Sequence, residues 1–151
     1  ILAQWRKAEN RKACAPLRFR DLAGAAGSPR AARFAGGWAV AWDQKDRRSA
    51  FGLAGTGLLP EDAAGPDAQR ERLAGQWPHL RDLDALPRPS FAGYGIEGAK
   101  AYPAGNPEGY GLNALAYVRV GGQTCTYTVW SRLGRAHLEA LLDALELLPT
   151  G

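Results

Sequence analysis

Two stretches of alternating apolar and polar side chains, 112–120 and 123–131, flank a pair of glycines near the carboxyl end of the chain. An alternation with a period of two is typical of a strand with one buried face. Gly121-Gly122 is the kind of two-residue turn that joins antiparallel strands. On the second strand, one face takes Cys125, Tyr127 and Val129, and the other takes Thr124, Thr126, Thr128 and Trp130. The chain is therefore predicted to contain an antiparallel sheet.

A second hairpin is predicted nearer the amino end, where strand signals begin at Phe34. Residues 37–42 and 49–55 alternate around a charged stretch at 43–48, which predicts a long loop. Trp38, Val40 and Trp42 share one face, and the small Ala39 and Ala41 occupy the other. A face of Ala and Gly permits the close approach of a helix or another backbone. A further strand is predicted from Phe91 to Tyr102.

The clearest predicted helix lies at the carboxyl end. Leucines recur at helical spacing at 138, 141, 142, 145 and 148, with acidic residues on the opposite side. This helix is expected to begin at Ser131 or Gly134 and to end at Pro149. Shorter helices are predicted over 1–12 and from Pro66 to Trp77. The leucines at 80, 83 and 86 predict one more helical turn.

These elements predict an α+β fold, in which an antiparallel sheet of about five strands carries the C-terminal amphipathic helix on one face. PsbP-like and cystatin-like folds are among the helix-on-sheet arrangements that fit the pattern, and no specific residues identify a family. A chain of 151 residues is expected to form one domain. We place a basic N-terminal arm and connector at 1–33 and a single α+β domain at 34–151. Within that domain, a helical and loop insert is expected at about 60–90.

The net charge of +4 is concentrated at the amino end. Residues 1–34 carry eight basic and two acidic side chains, a net charge of +6, whereas the rest carries 11 basic and 13 acidic side chains, a net charge of −2. Nucleic-acid-binding domains usually place their basic charge on the folded face that reads the nucleic acid. We therefore expect another protein as partner and no nucleic acid. The sequence has no run of 18 apolar residues, so a membrane contact would need an anchor upstream of Ile1.

Cys14 and Cys125 lie 111 positions apart, and the chain contains no methionine even at position 1. A start at Ile1 without methionine indicates a cut chain. One distant cysteine pair is typical of a disulfide in an oxidising compartment, although two buried free thiols also fit the sequence. With only His79 and His137 beside them, the cysteines make a poor zinc set. We expect a disulfide and a periplasmic or extracellular location, and the richness in Ala, Gly, Leu and Arg indicates a bacterial source.

Two glycine-rich runs resemble phosphate-binding loops only in part. Gly93–Gly98 spells G-x-G-x-x-G, but extended residues follow where a dinucleotide site has a helix. The run at 52–57 lacks the Lys-Ser/Thr ending of a P-loop. No G-x-S-x-G elbow accompanies His79 or His137. We therefore predict no catalytic, cofactor-binding or metal-binding residues, and no cofactor.

Aromatic side chains are frequent on the predicted strands and their loops. Those on the sheet face away from the helix, or on the loop between Tyr102 and Tyr110, would form an exposed binding surface. The candidate partner-binding residues, from the arm and that loop, are Trp5, Arg6, Lys7, Arg11, Lys12, Tyr102 and Tyr110.

These features predict a non-catalytic binding or accessory protein of the bacterial cell envelope, periplasmic or secreted, that acts through protein–protein contacts. One alternative is a structural subunit of a membrane-bound complex, tethered by an upstream anchor. Another is a small-ligand carrier with a cavity between helix and sheet.

Overall fold

The computed structural model describes residues 1–9, 11–12, 14–32, 37–58 and 65–149. Its helices are α1 (Leu2–Lys7), α2 (Pro66–Gln76) and α3 (Arg135–Asp143). Its strands are β1 (Leu17–Phe19), β2 (Ser28–Ala32), β3 (Trp38–Gln44), β4 (Arg47–Leu58), β5 (His79–Asp82), β6 (Phe91–Ile96), β7 (Ala114–Arg119), β8 (Cys125–Ser131) and β9 (Leu145–Leu147). Among the described residues, no helix is long and apolar enough to cross a bilayer. The predicted strand start at Phe34 lies outside the described residues.

Seven antiparallel strands form the main sheet in the order β2-β3-β4-β8-β7-β6-β5, and β1 pairs with β9 in a separate two-stranded sheet. The α+β class is confirmed, whereas the expectation of about five strands is wrong. Residues 28–32, expected within a connector, form the edge strand β2. Residues 79–82, where leucine spacing predicts a helical turn, form the opposite edge strand β5. Edge strands pair on one side only and are often short, so their sequence pattern is weak.

One face of the main sheet packs against α3 and is called the helix face. Its buried residues are Trp38, Val40, Trp42, Phe51, Leu53, Tyr94, Ala114, Ala116, Val118, Tyr127 and Val129. Above them, Leu138, Leu141 and Leu142 of α3 are at most 2% exposed. Burying each such leucine contributes about 1.5–3 kcal/mol, so this layer is the main source of hydrophobic stability.

The last helix ends at Asp143, although the leucine spacing continues to Leu148. After Ala144 the chain becomes extended and pairs with β1 as β9. Leu145 is nevertheless only 1% exposed, so it is buried although it lies in a strand and not in the helix. The hydrophobic spacing alone does not distinguish these two ways of burying the same side chains.

The opposite face of the main sheet, called the cleft face, carries small residues where other groups approach closely. A Cβ at Gly93 would lie 2.9 Å from Cβ of Leu73, which belongs to α2. A Cβ at Gly52 would lie 2.1 Å from Cζ2 of Trp130. The close approach expected over a face of small residues is therefore present, with a helix on β6 and an indole ring on β4.

Both predicted hairpins are present. Across Gly121-Gly122, the Gln123 N–H donates to the Val120 carbonyl at 3.1 Å. Gly122 has a φ of +83°, in the left-handed region that glycine adopts without steric cost. The hairpin of β3 and β4 turns through residues 45–46, because the ends of the charged stretch 43–48 extend the strands. Its loop is thus shorter than predicted.

The predicted strand from Phe91 to Tyr102 ends earlier, at Ile96. A turn follows, in which the Ala99 N–H donates to the Ile96 carbonyl at 3.1 Å and Gly98 has a φ of +75°. The G-x-G-x-x-G run therefore spans a strand end and a turn. The described segment 97–113 contains no helix, so a helix N-terminus for a phosphate is missing there.

Cys14 and Cys125 form a disulfide, with their Cα atoms 5.2 Å apart. This confirms the predicted pairing. Beside it, the Tyr127 hydroxyl donates to the Ala15 carbonyl at 2.6 Å. The indole N–H of Trp5 donates to the Cys14 carbonyl at 2.9 Å, so α1 folds back on the segment that carries the cysteine. Covalent and hydrogen bonds together hold the arm at the start of β8.

Replacing Gly52 with alanine should destabilise the fold, because the new methyl group would overlap the Trp130 ring. Overpacking of a filled site costs about 1–3 kcal/mol. We expect Gly52→Ala to lower the unfolding free energy in urea by that amount. Gly75→Ala is the matched control, since nothing lies within 4 Å of a Cβ at that helical position. Equal stability of Gly52→Ala and the parent would show that the indole does not rest on Gly52.

Removing the disulfide should cost more, because it links residues 111 positions apart. In the chain-entropy model, closing a loop of that length contributes about 4–5 kcal/mol. We expect the double variant Cys14→Ser, Cys125→Ser to lose about this much unfolding free energy, and a reductant to destabilise the parent alone. Thiol titration of the denatured, unreduced protein should detect no free thiol, and detection of two would contradict the pairing.

Candidate functional site

A cleft of about 400 Å³ opens on the cleft face, at the end of the sheet where β6 and β8 finish. Its lining residues are Ser49, Glu97, Asn113, Leu115, Tyr117, Thr128, Trp130 and Arg132. Ligand sites typically have volumes of about 300–1,000 Å³ and combine apolar walls with a few placed polar groups. The cleft fits that description in both size and lining.

Glu97, Asn113 and Arg132 form a polar row across the ends of β6, β7 and β8. The Glu97 N–H donates to the Asn113 carbonyl at 2.9 Å, which extends the strand pairing to this level. The side-chain Nδ2 of Asn113 donates to Oε2 of Glu97 at 2.7 Å. The amide therefore holds the carboxylate in one orientation at the cleft wall.

The side-chain Oδ1 of Asn113 is buried and accepts no hydrogen bond from the described residues. Turning the amide over would not help, because Nδ2 would then lose its bond to Glu97. An unsatisfied buried acceptor costs about 1–3 kcal/mol. The polar row thus contains a buried acceptor that the described residues leave unsatisfied.

Arg132 is anchored by its main chain and exposes its side chain. Its carbonyl accepts from the Gly111 N–H and from Nη1 of Arg47, both at 2.8 Å. Within the described ranges, its guanidinium takes part in no ion pair. The cleft consequently offers one carboxylate and one guanidinium on the same row.

Two aromatic rings complete the walls. Tyr117 is 37% exposed, and its ring meets the edge of Trp77 with centroids 5.4 Å apart. The Trp130 ring lies flat over Gly52. A Cβ added at Gly52 would be 2.1, 2.4 and 2.7 Å from three adjacent ring atoms, and these distances place it above the plane of the ring. Its Nε1 donates to the Ser49 carbonyl at 3.3 Å. Both rings are therefore held in place before any ligand arrives.

The sequence pattern predicts that these aromatic residues form a binding surface if they face away from the helix. It misses the polar row. The alternation of the strands could have indicated it. Each residue of the polar row lies two positions from a cleft-face residue of its strand, and positions two apart share a face. These cleft-face residues are Gly95 for Glu97, Trp130 for Arg132 and Leu115 for Asn113, which stands before its strand and not after it. Reading the signal requires strand ends and pairing that the pattern does not provide.

A second polar cluster lies on the helix face, between β5, β6 and α3. The Tyr94 hydroxyl donates to Oε2 of Glu139, and burial and this carboxylate raise the pKa of Tyr94. His79 stacks on Tyr94 with centroids 5.1 Å apart, and burial followed by the charge of Arg135 lowers the pKa of His79. The Arg135 guanidinium also lies 5.3 Å from the centroid of the Tyr102 ring. At neutral pH the cluster holds a protonated phenol and a neutral imidazole.

Ser131 and His137 form a pair that sequence reasoning also misses. Oγ of Ser131 lies 2.8 Å from Nδ1 of His137, and Nε2 of His137 lies 3.1 Å from the Leu22 carbonyl. A carbonyl only accepts, so Nε2 carries the proton and Nδ1 accepts from the serine hydroxyl. Ser131 is 0% exposed, so a substrate has no access to this hydroxyl. The pair ties β8 and α3 to the segment at Leu22.

The candidate partner-binding residues fall into two groups at opposite ends of β8. Arg6, Lys7, Arg11 and Lys12 are exposed, and Trp5 ties their segment to the disulfide at the start of β8. Tyr102 and Tyr110 lie past the end of β8, where Tyr110 is 60% exposed and Tyr102 is half-buried under Arg135. A strand of seven residues spans about 20 Å, so the two groups do not share one surface.

No protein-family model, curated protein or solved structure matches the chain. In the described part of the chain, no three His, Cys, Asp or Glu side chains are grouped so that they could hold a metal ion.

Acid should weaken the fold through its two histidines. Burial lowers the pKa of His137 despite its hydrogen bond to Leu22, and the pKa of His79 is lowered as well. Because both titrate near their ordinary value of 6.5 in the unfolded chain, the unfolded state takes up more protons as the pH falls below that value. The free energy of unfolding is therefore highest above about pH 6.5. It declines as the pH falls, until the pH is below the lowered pKa values of the two histidines in the folded state.

His137→Gln keeps a donor toward Leu22 and cannot become charged, so it should flatten this decline. The measurement is urea denaturation at several pH values between about 7.5 and 5. His79→Gln provides the companion variant for the second cluster. An unchanged pH slope in both variants would contradict the assignment.

Proposed function

We propose that the protein is a non-catalytic binding or accessory protein of an extracytoplasmic compartment of a bacterial cell, and that the cleft holds its partner. The observation that carries this proposal is the polar row at the strand ends, with the fixed rings of Trp130 and Tyr117 beside it on the same face of the sheet. Rings and hydrogen-bonding groups held ready in advance reduce the ordering cost of binding.

The disulfide supports the compartment. Structural disulfides persist in oxidising environments and are rare in the reducing cytosol. Here both cysteines are fully buried, and the bond fixes the arm to the sheet. Such a bond is a structural feature of the fold, which agrees with a protein that matures outside the cytoplasm.

The placement of the titratable groups supports a binding role. General acid–base chemistry uses groups within hydrogen-bond reach of the reacting atoms. Both histidines lie on the helix face, and Ser131 is buried there beside His137. Among the described lining residues of the cleft, Glu97 is the one carboxylate, and an amide holds it.

A small-ligand carrier is the second candidate, favoured by the cleft volume of about 400 Å³. Leu138, Leu141 and Leu142 are buried between α3 and the sheet, so this candidate places its ligand in the cleft on the opposite face. A subunit of a membrane-bound complex would instead have a neighbouring protein over the cleft. The mass of the bound component distinguishes these roles.

Native mass spectrometry of the protein isolated from its source should show a non-covalent component. Glu97→Gln removes the carboxylate charge and keeps the side-chain shape, so the fraction carrying this component should fall roughly tenfold. Glu71→Gln is the matched control, because Glu71 is an exposed residue of α2 outside the cleft. Loss of the component in both variants, or in neither, would overturn the assignment of the cleft.

A further inference from the structure

We infer that the cleft binds a segment of a neutral glycan, with one sugar ring on Tyr117 and the hydroxyls of a neighbouring sugar on the polar row. This inference rests on the proposed function and adds the chemical class of the ligand. The opposite charges of the row, the exposed Tyr117 ring and the paired strands beneath the cleft support it.

The charges of the row favour a ligand without strong charge. Glu97 and Arg132 lie on strands two positions apart in the sheet, a separation of about 10 Å. A cationic ligand that filled the cleft would meet the guanidinium, and an anionic one would meet the carboxylate. Like charges placed together disfavour binding, so the pair selects against both.

Hydroxyl groups match the hydrogen-bonding requirements of the row. The exposed Glu97 carboxylate accepts hydrogen bonds and the exposed Arg132 guanidinium donates them, while Asn113 holds the carboxylate in place. A hydroxyl both donates and accepts, so neighbouring hydroxyls of one molecule satisfy both exposed groups. A ligand that reaches from Glu97 to Arg132 must also be extended, as an oligosaccharide is.

Tyr117 supplies the apolar contact that a sugar ring requires. A pyranose presents a face of C–H groups that packs against an aromatic ring while its hydroxyls point outward. The Tyr117 ring is 37% exposed, and Trp77 holds its edge. Rigid aromatic side chains of this kind give contact area at a low entropy cost.

The strands beneath the cleft favour a glycan over a peptide. Extended peptides commonly bind by adding a strand to a free sheet edge. The cleft lies over β7 and β8, each of which is paired on both sides within the main sheet. Recognition must therefore come from side chains, which suits a ligand whose polar groups surround its ring.

The test is a titration of the full chain with cellohexaose, chitohexaose, maltohexaose and xylohexaose, followed by ¹⁵N–¹H NMR and calorimetry. At least one of these neutral sugars should shift the Trp130 indole and Asn113 amide resonances. Tyr117→Ala and Asn113→Ala should each weaken binding roughly tenfold. Tyr117→Phe keeps the ring against Trp77, so it should bind nearly as well as the parent even if Tyr117→Ala fails to fold.

Tyr110→Ala is the matched control, because Tyr110 is an exposed tyrosine outside the cleft lining. The inference is overturned if no sugar shifts the cleft resonances at millimolar concentration, or if Tyr110→Ala weakens binding as much as Tyr117→Ala. If no sugar binds while native mass spectrometry detects a bound peptide or lipid that is absent from Glu97→Gln, the proposed function stands and the glycan assignment is wrong. If no bound component depends on Glu97 either, both are wrong.

Discussion

The pairing of β4 with β8 joins the two halves of the main sheet, and the other features depend on it. It places β2, β3 and β4 on one side and β8, β7, β6 and β5 on the other. Small residues of β4 allow groups to lie above the strand on both faces. Gly55 leaves room for Sγ of Cys14 on the helix face, and Gly52 leaves room for the Trp130 ring on the cleft face. One strand thus accommodates both the disulfide and a wall of the cleft.

The parts of the fold that follow from the sequence are those where burial and local turn chemistry agree. The hairpin around Gly121-Gly122 is one case, since the full burial of Cys125, Tyr127 and Val129 fixes the alternation. The edge strands β2 and β5 and the early end of α3 depend instead on distant partners. The candidate site divides in the same way. Its aromatics follow from strand alternation, whereas its polar row depends on where three strands stop and how they pair.

The two faces of the sheet differ in what their polar residues do. On the helix face, His137 and Tyr94 bond to groups from other elements and hold layers together, with the pKa of each shifted by burial. On the cleft face, Asn113 and Arg132 keep side-chain groups that the described residues leave unsatisfied. The polar residues of the helix face thus link structural elements, whereas those of the cleft face line the candidate binding site.

The pairing of β1 with β9 has a consequence for how the molecule is oriented when it is attached to something else. The Leu148 N–H donates to the Pro16 carbonyl at 2.9 Å, so the chain enters and leaves the core at neighbouring points. These points lie near the disulfide at the start of β8, and the polar row of the cleft lies at the other end of that strand, about 20 Å away. A tether joined ahead of Cys14 or after Leu148 would therefore leave from the same side. Attachment at either of these points would leave the polar row at the end of the sheet farther from the supporting surface.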